Sequence, residues 1–507
     1  MRACALELDS GLERSRRKRY IPLMPTNGVL SSGIEGLDEI LGGGFPARRF
    51  YLVQGDPGAG KTTLGLQFLL EGKRCGERVL YVSLSESREE LEAVADSHGW
   101  SLEGMPVFEL AARDNDLLLD RQNTLFEPSE VELAEVTAAL LAKVDAVDPD
   151  RVVFDSLSEM RLLAQNALRY RRHLLALKQH FVSRGRTVLM MDDRTSEAGD
   201  LQLQSLAHGV VEMEQLAPIY GPERRRLRVA KMRGVAFRGG YHDFRIARGG
   251  LLIFTRLVAS EHHEPFIAET VQSGIRELDD LLGGGLDRGT AALLLGPAGC
   301  GKSAVAGQYA CAAAQRGECA AAYLFDEGIN TFVARSTALG QPVEDLRERG
   351  KLLVQQIDPA EMSPGEFVQT IRADVERRDV RVVVIDSLNG YLASMPEERF
   401  LVIQMHELLS YLRQRGTLVI LVVAQAGIMG AGMQAPVDLS YLSDTVVLLR
   451  YYELQGRIAK AISVLKRRSG SHSTEIRELV LERKVSIRNT LSDLQGVMTG
   501  VPVAIRK

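Results

Sequence analysis

The sequence contains the same glycine-rich motif twice, each time between a short apolar run and a helical pattern. The first copy comprises Gly55, Asp56, Pro57, Gly58, Ala59, Gly60, Lys61 and Thr62, and the second Gly296, Pro297, Ala298, Gly299, Cys300, Gly301, Lys302 and Ser303. This spacing is typical of a phosphate-binding loop. Glycines let backbone amides surround a phosphate chain, the lysine reaches the β- and γ-phosphates, and the hydroxyl ligates Mg²⁺. We therefore predict two nucleotide sites, each including the next residue, Thr63 or Ala304.

A second motif recurs at the same interval and indicates a duplication. Lys302 lies 241 residues after Lys61, and the segment 32–44 returns as 273–285, also 241 residues later. Two independent motifs at one offset indicate a tandem repeat of about 240 residues. We predict a basic polar tail over 1–20, a first domain over 21–260, and a second domain with a short C-terminal tail over 261–507. The junction is expected near residues 260–265, where polar residues interrupt the apolar pattern.

Continuous apolar runs within each repeat predict buried strands. The runs at 78–82, 151–154 and 187–191 are matched in the second repeat by those at 320–325, 382–385 and 418–423. Strands that are apolar on both faces belong to sheets covered on both sides. The predicted fold class is α/β, with two tandem domains, each a mostly parallel sheet flanked by helices.

Acidic residues follow the predicted strands at the edge where the phosphate loops lie. Asp155 and Asp386 each end a buried strand and could hold Mg²⁺, although an aspartate there can also be a helix cap. Glu86 in the first repeat, and Asp326 with Glu327 in the second, follow another strand. Each could accept a proton from an attacking water or hydroxyl, or could be a solvated loop acid.

A basic strand late in each repeat is far in sequence from its own phosphate loop. The strands cover residues 224–234 and 461–468. Their cations could act as a finger on the ATP of a neighbouring subunit. A rim that binds nucleic acid and plain surface charge remain the alternatives.

Composition excludes several classes of protein. The net charge of −4 gives no general attraction to nucleic acid or anionic membranes, so nucleic acid is an unlikely partner. Apolar runs fall short of the roughly 20 residues that span a bilayer, so no membrane partner is expected. The N-terminus lacks an apolar signal core, which predicts a cytoplasmic location. The five cysteines are scattered, as expected for reduced thiols.

Together, the doubled phosphate loop, the repeated entry motif and the Lys-x-Arg strand resemble the KaiC family, which has tandem RecA-like domains. The resemblance extends from about residue 23 to about residue 502. It implies a homohexamer of two stacked rings, with ATP and Mg²⁺ between subunits. The first ring would hydrolyse ATP, and the second would also phosphorylate its own side chains. Carried over residue by residue, it assigns nucleotide contacts to Lys231, Arg233, Lys466, Arg468 and His472.

This chain departs from the family pattern at two places. The family has two adjacent catalytic glutamates, whereas here Ser85 replaces the first one in the first repeat and leaves Glu86 as its candidate base. The family's phosphorylation segment corresponds to residues 437–446, in which Ser440 matches the phospho-serine and Tyr441 replaces a threonine. Ser440 is the expected main acceptor.

The resemblance implies clock or two-component signalling proteins as partners. Two further classes stay open at this point. One is a RecA-type motor that acts on DNA. The other is a slow ATP-dependent signalling scaffold without kinase activity.

Overall fold

The computed structural model describes residues 28–109, 128–164, 166–193, 201–218, 221–393, 400–425, 442–497 and 503–504. It separates into two compact units, one of Met1–Val53, Thr62–Val210 and Val229–Gly239, the other of Gln54–Lys61, Val211–Arg228 and Gly240–Lys507. This division passes through the first phosphate loop. The domain boundaries expected from the repeat therefore stay a prediction.

The first repeat contains a two-stranded sheet and a nine-stranded sheet. The small sheet pairs β1 (Val29–Leu30) with β2 (Phe45–Pro46). The large sheet has the order β11-β10-β9-β8-β3-β7-β6-β4-β5. Its strands are β3 (Phe50–Gly55), β4 (Val79–Ser83), β5 (Val107–Glu109), β6 (Arg151–Asp155), β7 (Thr187–Asp193), β8 (Gly209–Leu216), β9 (Arg224–Met232), β10 (His242–Ala247) and β11 (Gly250–Phe254).

Helices of the first repeat alternate with these strands. They are α1 (Glu35–Ile40), α2 (Lys61–Arg74), α3 (Arg88–His98), α4 (Pro128–Val147), α5 (Leu157–Ala164), α6 (Ala167–Ser183) and α7 (Leu201–Leu206), followed by a 3₁₀ turn at Ala259–Glu261. Local sequence sets some of these ends. Helix α3 begins with a capping box between Ser87 and Glu90 and ends at Gly99, which adopts the left-handed conformation that favours glycine.

The second repeat has the same strand topology. The small sheet pairs β12 (Thr270–Val271) with β13 (Leu286–Asp287). The large sheet has the order β16-β15-β17-β18-β14-β19-β20-β21-β22. Its strands are β14 (Ala291–Gly296), β15 (Cys319–Leu324), β16 (Leu352–Gln356), β17 (Val380–Asp386), β18 (Leu418–Ala424), β19 (Thr445–Leu454), β20 (Arg457–Arg467), β21 (Arg477–Leu481) and β22 (Val485–Thr490). A last pair joins β23 (Leu494–Gln495) and β24 (Val503–Ala504).

Helices of the second repeat follow the same pattern. They are α8 (Arg276–Leu281), α9 (Lys302–Gln315), α10 (Ile329–Ala338), α11 (Val343–Glu348), α12 (Pro364–Arg378), α13 (Leu388–Ala393) and α14 (Phe400–Gln414). Helix α12 starts where the Ser363 side chain accepts a hydrogen bond from the backbone N–H of Glu366, with proline at its first position.

The strand directions confirm the predicted α/β class. Strands β14 to β19 pair in parallel, whereas β19 to β22 are antiparallel. In the first sheet β4, β5, β6 and β7 are parallel, and β9, β10 and β11 are antiparallel. The central strands are buried along most of their length because helices cover both faces. Both phosphate loops therefore start at the carboxyl end of a central strand, where ligand crevices form in open α/β sheets.

Candidate nucleotide-binding sites

The first phosphate loop connects β3 to α2. Gly58 and Gly60 have φ angles of 78° and 95°, and a Cβ atom on Gly60 would lie 2.8 Å from Ile246 Cδ1. A side chain at Gly60 would therefore strain the backbone and crowd its neighbour. Lys61 is only 7% exposed, and its Nζ donates to the carbonyl oxygens of Gly55 and Asp56, each at 3.0 Å. The lysine ammonium thus lies within the curve of the loop.

The second loop, between β14 and α9, repeats this geometry. Gly299 and Gly301 have φ angles of 75° and 110°. Lys302 Nζ donates to the carbonyl oxygens of Gly296 at 2.9 Å and Pro297 at 2.6 Å. Burial lowers the pKa of Lys302. An anion placed in the loop would favour the charged form of this lysine, so the site is suited to a phosphate chain.

The predicted metal ligands of the first repeat are in contact. Thr62 Oγ1 donates to Asp155 Oδ2 at 3.1 Å, and the Tyr81 hydroxyl donates to the same oxygen at 2.6 Å. Burial raises the pKa of Tyr81 well above its ordinary value, so the phenol stays a donor. Tyr81 was not among the residues predicted from the sequence. A tyrosine on the strand next to the one that ends in Asp155 was the available signal.

In the second repeat, Ser303 and Asp386 form the matching pair through a side-chain hydrogen bond. Burial raises the pKa of Asp386, and the hydrogen bond from Ser303 opposes this shift. Ser83 lies opposite Asp155, and Leu324 lies opposite Asp386. The position of Tyr81 therefore corresponds to Ala322, which provides no hydroxyl. The two carboxylates thus have different hydrogen-bond partners.

The candidate bases also have different surroundings. Glu86 is half-buried, and its backbone N–H donates to Ser83 Oγ at 2.9 Å, while Ser85 is exposed. Asp326 is exposed and accepts a hydrogen bond from Ser387 Oγ. Both oxygens of Glu327 accept from Arg335, at 3.1 Å and 2.8 Å. Glu327 must therefore break its ion pair with Arg335 before it can accept a proton.

The residues after each loop point into the protein. Thr63 is buried, with its Oγ1 3.5 Å from His98 Nε2, and Ala304 is part of the hydrophobic core. Both side chains are therefore engaged in contacts within the protein. Any nucleotide contact from these two positions would come from the main chain.

The basic residues predicted to act on ATP lie near the amino ends of the parallel strands, whereas their own phosphate loops follow the carboxyl ends. In the second repeat Arg467, between Lys466 and Arg468, pairs with Thr445, which pairs with Ala292 near the start of β14. Gly296 is four residues further along β14, which is roughly 13 Å at the usual rise per residue. Lys466 Nζ donates to Ser443 O at 2.9 Å.

The first repeat has the same arrangement. Lys231 Nζ donates to Gln204 O at 2.6 Å, and Arg233 Nη2 donates to Ser205 O at 3.0 Å. The Arg233 backbone N–H donates to His208 O, and the His208 backbone N–H donates to the oxygen of Phe50, the first residue of β3. The structure therefore brings neither pair of cations to the phosphate loop of its own repeat.

The other predicted residues are His472, Ser440 and Tyr441. His472 is half-buried, in the segment between β20 and β21. Ser440 and Tyr441 lie outside the described residues.

Within the described ranges, no group of three or more His, Cys, Asp or Glu side chains could hold a metal ion by itself. The Thr62–Asp155 and Ser303–Asp386 pairs fit Mg²⁺ instead, because this ion keeps several waters and uses few protein ligands. The described helices include none that is long and apolar enough to cross a membrane.

Two phosphate loops, each next to a strand that ends in aspartate, define a tandem P-loop protein with RecA-like domains. The family model described as "ATPase: KaiC" matches residues 30–258 and 271–488. The chain belongs to the KaiC family of ATPases, which confirms the resemblance drawn from its motifs.

Curated relatives match over nearly the full chain at modest identity. The circadian clock oscillator protein KaiC of Thermostichus vulcanus is 26% identical over 483 residues, which are 93% of this chain and 91% of the relative. The protein of the same name from Parasynechococcus marenigrum is 25% identical over 481 residues, 93% of each chain. The circadian clock protein KaiC3 of Synechocystis is 24% identical over 491 residues, 94% of this chain and 95% of the relative.

Proposed function

We propose that both repeats bind ATP with Mg²⁺ and that the chain hydrolyses ATP. One feature, present in both repeats, carries this proposal. A buried lysine lies within each glycine-rich loop, and the hydroxyl residue that follows it is hydrogen-bonded to a carboxylate at a strand end. These are the groups that hold the phosphates and the metal ion in P-loop ATPases.

The protein's own residues have separable roles in this reaction. Lys61 and Lys302 would donate to phosphate oxygens in place of the loop carbonyl oxygens, and they would neutralise negative charge on the phosphates. Thr62 with Asp155, and Ser303 with Asp386, would hold Mg²⁺, which polarises the terminal phosphate when it is bound. Tyr81 orients Asp155 by donating to one of its oxygens. The loops position the phosphate chain for in-line attack.

Glu86 is the proposed base of the first repeat, and Asp326 and Glu327 share this role in the second. In each case the carboxylate would accept the proton of the attacking water or hydroxyl. The two repeats differ, because Glu86 has no acidic neighbour at Ser85, whereas Arg335 engages Glu327. We expect Asp326 to be the more readily available carboxylate of the second repeat.

We further propose that Lys231 and Arg233, and Lys466 and Arg468, act on ATP held by a neighbouring copy in a homohexamer. Their location at the edge of the sheet away from their own loop supports this arrangement. A cation offered across a subunit interface stabilises the charge that develops during phosphoryl transfer. His472 is proposed to contact nucleotide at the same interface.

We also propose that the second repeat phosphorylates Ser440. Tyr441 is a weaker candidate because its hydroxyl lies farther from the backbone, and in-line transfer is sensitive to position. The relatives named as circadian clock proteins support a role as a clock-type or signalling regulator. The proposed partners are clock or two-component proteins in the cytoplasm.

One experiment tests the activity and the phosphorylation together. Purified protein is incubated with Mg-ATP while ADP release is followed and phosphosites are mapped by mass spectrometry. We expect ADP release that Lys61→Ala and Lys302→Ala each reduce and the double variant abolishes. Phosphate on Ser440 should disappear in Ser440→Ala and Lys302→Ala but persist in Lys61→Ala. ADP release that survives the double variant would contradict the proposal.

A slow ATP-dependent signalling scaffold is the second candidate, and Ser85 is the observation that favours it. A serine cannot accept a proton at neutral pH, so the first repeat relies on Glu86 alone. Very slow ADP release without phosphate on Ser440 would favour this candidate over the autokinase.

A further inference from the structure

His208 and Asp444 occupy the same place in the two repeats. The backbone N–H of each donates to the carbonyl oxygen of the first residue of the phosphate-loop strand, Phe50 or Ala291, at 2.8 Å in both cases. The N–H of that strand residue donates back to the side chain, to His208 Nδ1 at 3.2 Å and to Asp444 Oδ2 at 3.0 Å.

Each of these residues also forms a main-chain hydrogen bond with the arginine of its own repeat that is proposed to act on a neighbour's ATP, which we call the finger arginine. The backbone N–H of Arg233 donates to His208 O at 2.8 Å, and that of Arg468 donates to Asp444 O at 2.9 Å. The main-chain framework around the two arginines is therefore the same. The side chains at the centre of this framework are an imidazole in the first repeat and a carboxylate in the second.

In the second repeat the carboxylate is shared between cations. Asp444 Oδ2 accepts from Arg413 Nη2 at 2.9 Å, and Asp444 Oδ1 lies 3.5 Å from Arg468 Nη1. The Asp444 side chain is 10% exposed, whereas that of Arg468 is 50% exposed. The guanidinium of Arg468 is thus partly neutralised by Asp444, while half of the Arg468 side chain is exposed.

In the first repeat cations surround the imidazole instead. Lys178 on α6, Arg49 before β3 and Arg233 after β9 are the charged groups that act on His208. Burial lowers the pKa of His208, and these three cations lower it further. Lys178 donates to Leu206 O at 2.5 Å, and Arg49 donates to Arg233 O. In the described part of the chain, no carboxylate pairs with Lys178, Lys231 or Arg233.

We infer that His208 and Asp444 are positioning residues that give the finger cations of the two repeats different net charge. The first repeat presents the cluster of Lys178, Lys231 and Arg233, without a carboxylate partner within the described ranges, to the phosphates of a neighbour. The second presents Arg468, which must first give up its ion pair with Asp444. This inference rests on the proposed action of the fingers between subunits. Lys178 is thus a third cation beside Lys231 and Arg233, the two finger residues of the first repeat.

The difference has a direct consequence for ATP binding. Lysine and arginine side chains that repel one another gain from a nearby polyphosphate, because the anion removes their mutual repulsion. Arg468 gains less, because it gives up part of its contact with Asp444 when it binds phosphate. The neighbour's ATP should therefore be held more tightly, and with a steeper dependence on salt, by the first finger than by the second.

Full-length variants test this inference through the KM for ATP hydrolysis at low and high salt. The first repeat is measured in a Lys302→Ala background and the second in a Lys61→Ala background. His208→Asp introduces the carboxylate of the second repeat and should raise the KM of the first about fivefold. The matched variant His208→Asn keeps an acceptor for the Phe50 N–H without charge and should change it less than about twofold.

Two further variants keep the test decisive. Asp444→Asn preserves the shape and the acceptor for the Ala291 N–H, and it should lower the KM of the second repeat about fivefold and steepen its salt dependence. Lys178→Gln leaves the Phe50 hydrogen bond untouched and should raise the KM of the first repeat. An increase from His208→Asn as large as that from His208→Asp, or no decrease from Asp444→Asn, would overturn the inference.

Arg233→Ala separates this failure from a failure of the proposed function. If Arg233→Ala raises the KM while the His208 and Asp444 variants have no effect, the finger acts between subunits but its charge is set elsewhere. If Arg233→Ala itself has no effect on KM or kcat, the proposed action of the finger is wrong.

Discussion

Asp155 and Asp386 are equivalent residues whose environments differ. Asp155 accepts hydrogen bonds from Thr62 and Tyr81, whereas Asp386 has the hydrogen bond from Ser303 and a pKa raised by burial. A buried carboxylate with few donors makes the folded state less stable when it is ionised. The proposed metal site of the second repeat is therefore expected to reduce stability until its ligand binds.

Asp386→Asn is expected to stabilise the nucleotide-free protein at neutral pH. Burial raises the pKa of Asp386 in the folded protein above its value in the unfolded chain. The contribution of this carboxyl group to stability is therefore fully present below the unfolded pKa, and it is lost as pH rises through the folded pKa. The asparagine removes the buried charge, so the free energy of unfolding at neutral pH should rise by about 1 kcal/mol or more, with little gain in acid.

Thermal melts with and without Mg-ATP measure this effect. The variant should also lose stabilisation by Mg-ATP at the second repeat. Asp345→Asn on α11, which removes an exposed ion pair with Arg349, is the control and should leave the melt almost unchanged. A lower melting temperature for Asp386→Asn at neutral pH would contradict the account.

Tyr81→Phe is expected to weaken the first repeat. The substitution removes a hydrogen-bond donor to Asp155 and should cost about 1–3 kcal/mol, because the acceptor is a buried carboxylate. It should also raise the Mg²⁺ concentration needed for ATP hydrolysis when the second loop is inactivated by Lys302→Ala.

The matched control for this substitution is Tyr452→Phe on β19. Tyr452 is also buried, but its hydroxyl has no hydrogen-bond partner among the described residues. Its removal should be neutral or slightly stabilising. Equal losses of stability in the two variants would show that the Tyr81 hydroxyl has no particular role.

At the scale of elements, the loop between β14 and α9 depends on backbone conformations that a side chain disfavours. Gly301 has a φ angle of 110°, and a Cβ atom there would lie 2.8 Å from Leu481 Cδ1. Gly301→Ala should therefore distort the phosphate cradle and reduce ATP affinity at the second repeat more than tenfold, or about 1.4 kcal/mol.

Gly350→Ala provides the comparison. Gly350 has a φ angle of 68°, and a Cβ atom added there would have no neighbour within 4 Å. The substitution should therefore cost about 1 kcal/mol of stability and leave ATP binding intact. The measurement is equilibrium binding of a fluorescent ATP analogue in the Lys61→Ala background. Unchanged affinity in Gly301→Ala would contradict the assigned role of the loop.

The sequence predicted the central elements well for a physical reason. The buried strands are continuous apolar runs, and β6 and β18 begin where predicted, at Arg151 and Leu418. Strand β20 begins four residues earlier than expected, at Arg457, because it forms a hairpin with β19 down to the turn at 455–456. The antiparallel strands β10, β11, β21 and β22, at one side of each sheet, were not predicted. Strand β10 mixes charged and apolar residues, and the apolar residues of β11 and β21 form only short runs.

Parts of the site could not be predicted because they depend on contacts between distant residues. The hydrogen bond from Tyr81 to Asp155 joins residues 74 apart, and that from Ser387 to Asp326 joins residues 61 apart. The equivalence of His208 and Asp444 is also absent from the motif pattern, because the two side chains differ and only their main-chain bonds agree.

At the scale of the whole molecule, duplication produced two repeats with the same topology and different chemistry. The first has Tyr81 on its proposed metal ligand, a single candidate base and a proposed finger whose cations have no carboxylate partner among the described residues. The second has two candidate acids, an aspartate whose pKa is raised by burial, and an arginine paired with Asp444. These differences favour a division of labour, with ATP hydrolysis in both repeats and phosphorylation of protein in the second.

Mixing two inactive variants tests the central claim that ATP is held between neighbouring copies. One variant lacks both loop lysines (Lys61→Ala, Lys302→Ala), and the other lacks all four finger cations (Lys231→Ala, Arg233→Ala, Lys466→Ala, Arg468→Ala). Each should be inactive alone, and co-assembly should restore ADP release, because about a quarter of the interfaces then combine an intact loop with an intact finger. Fluorescence transfer between labelled chains confirms that they mix. Mixed assemblies that remain as inactive as the separate variants would contradict the account.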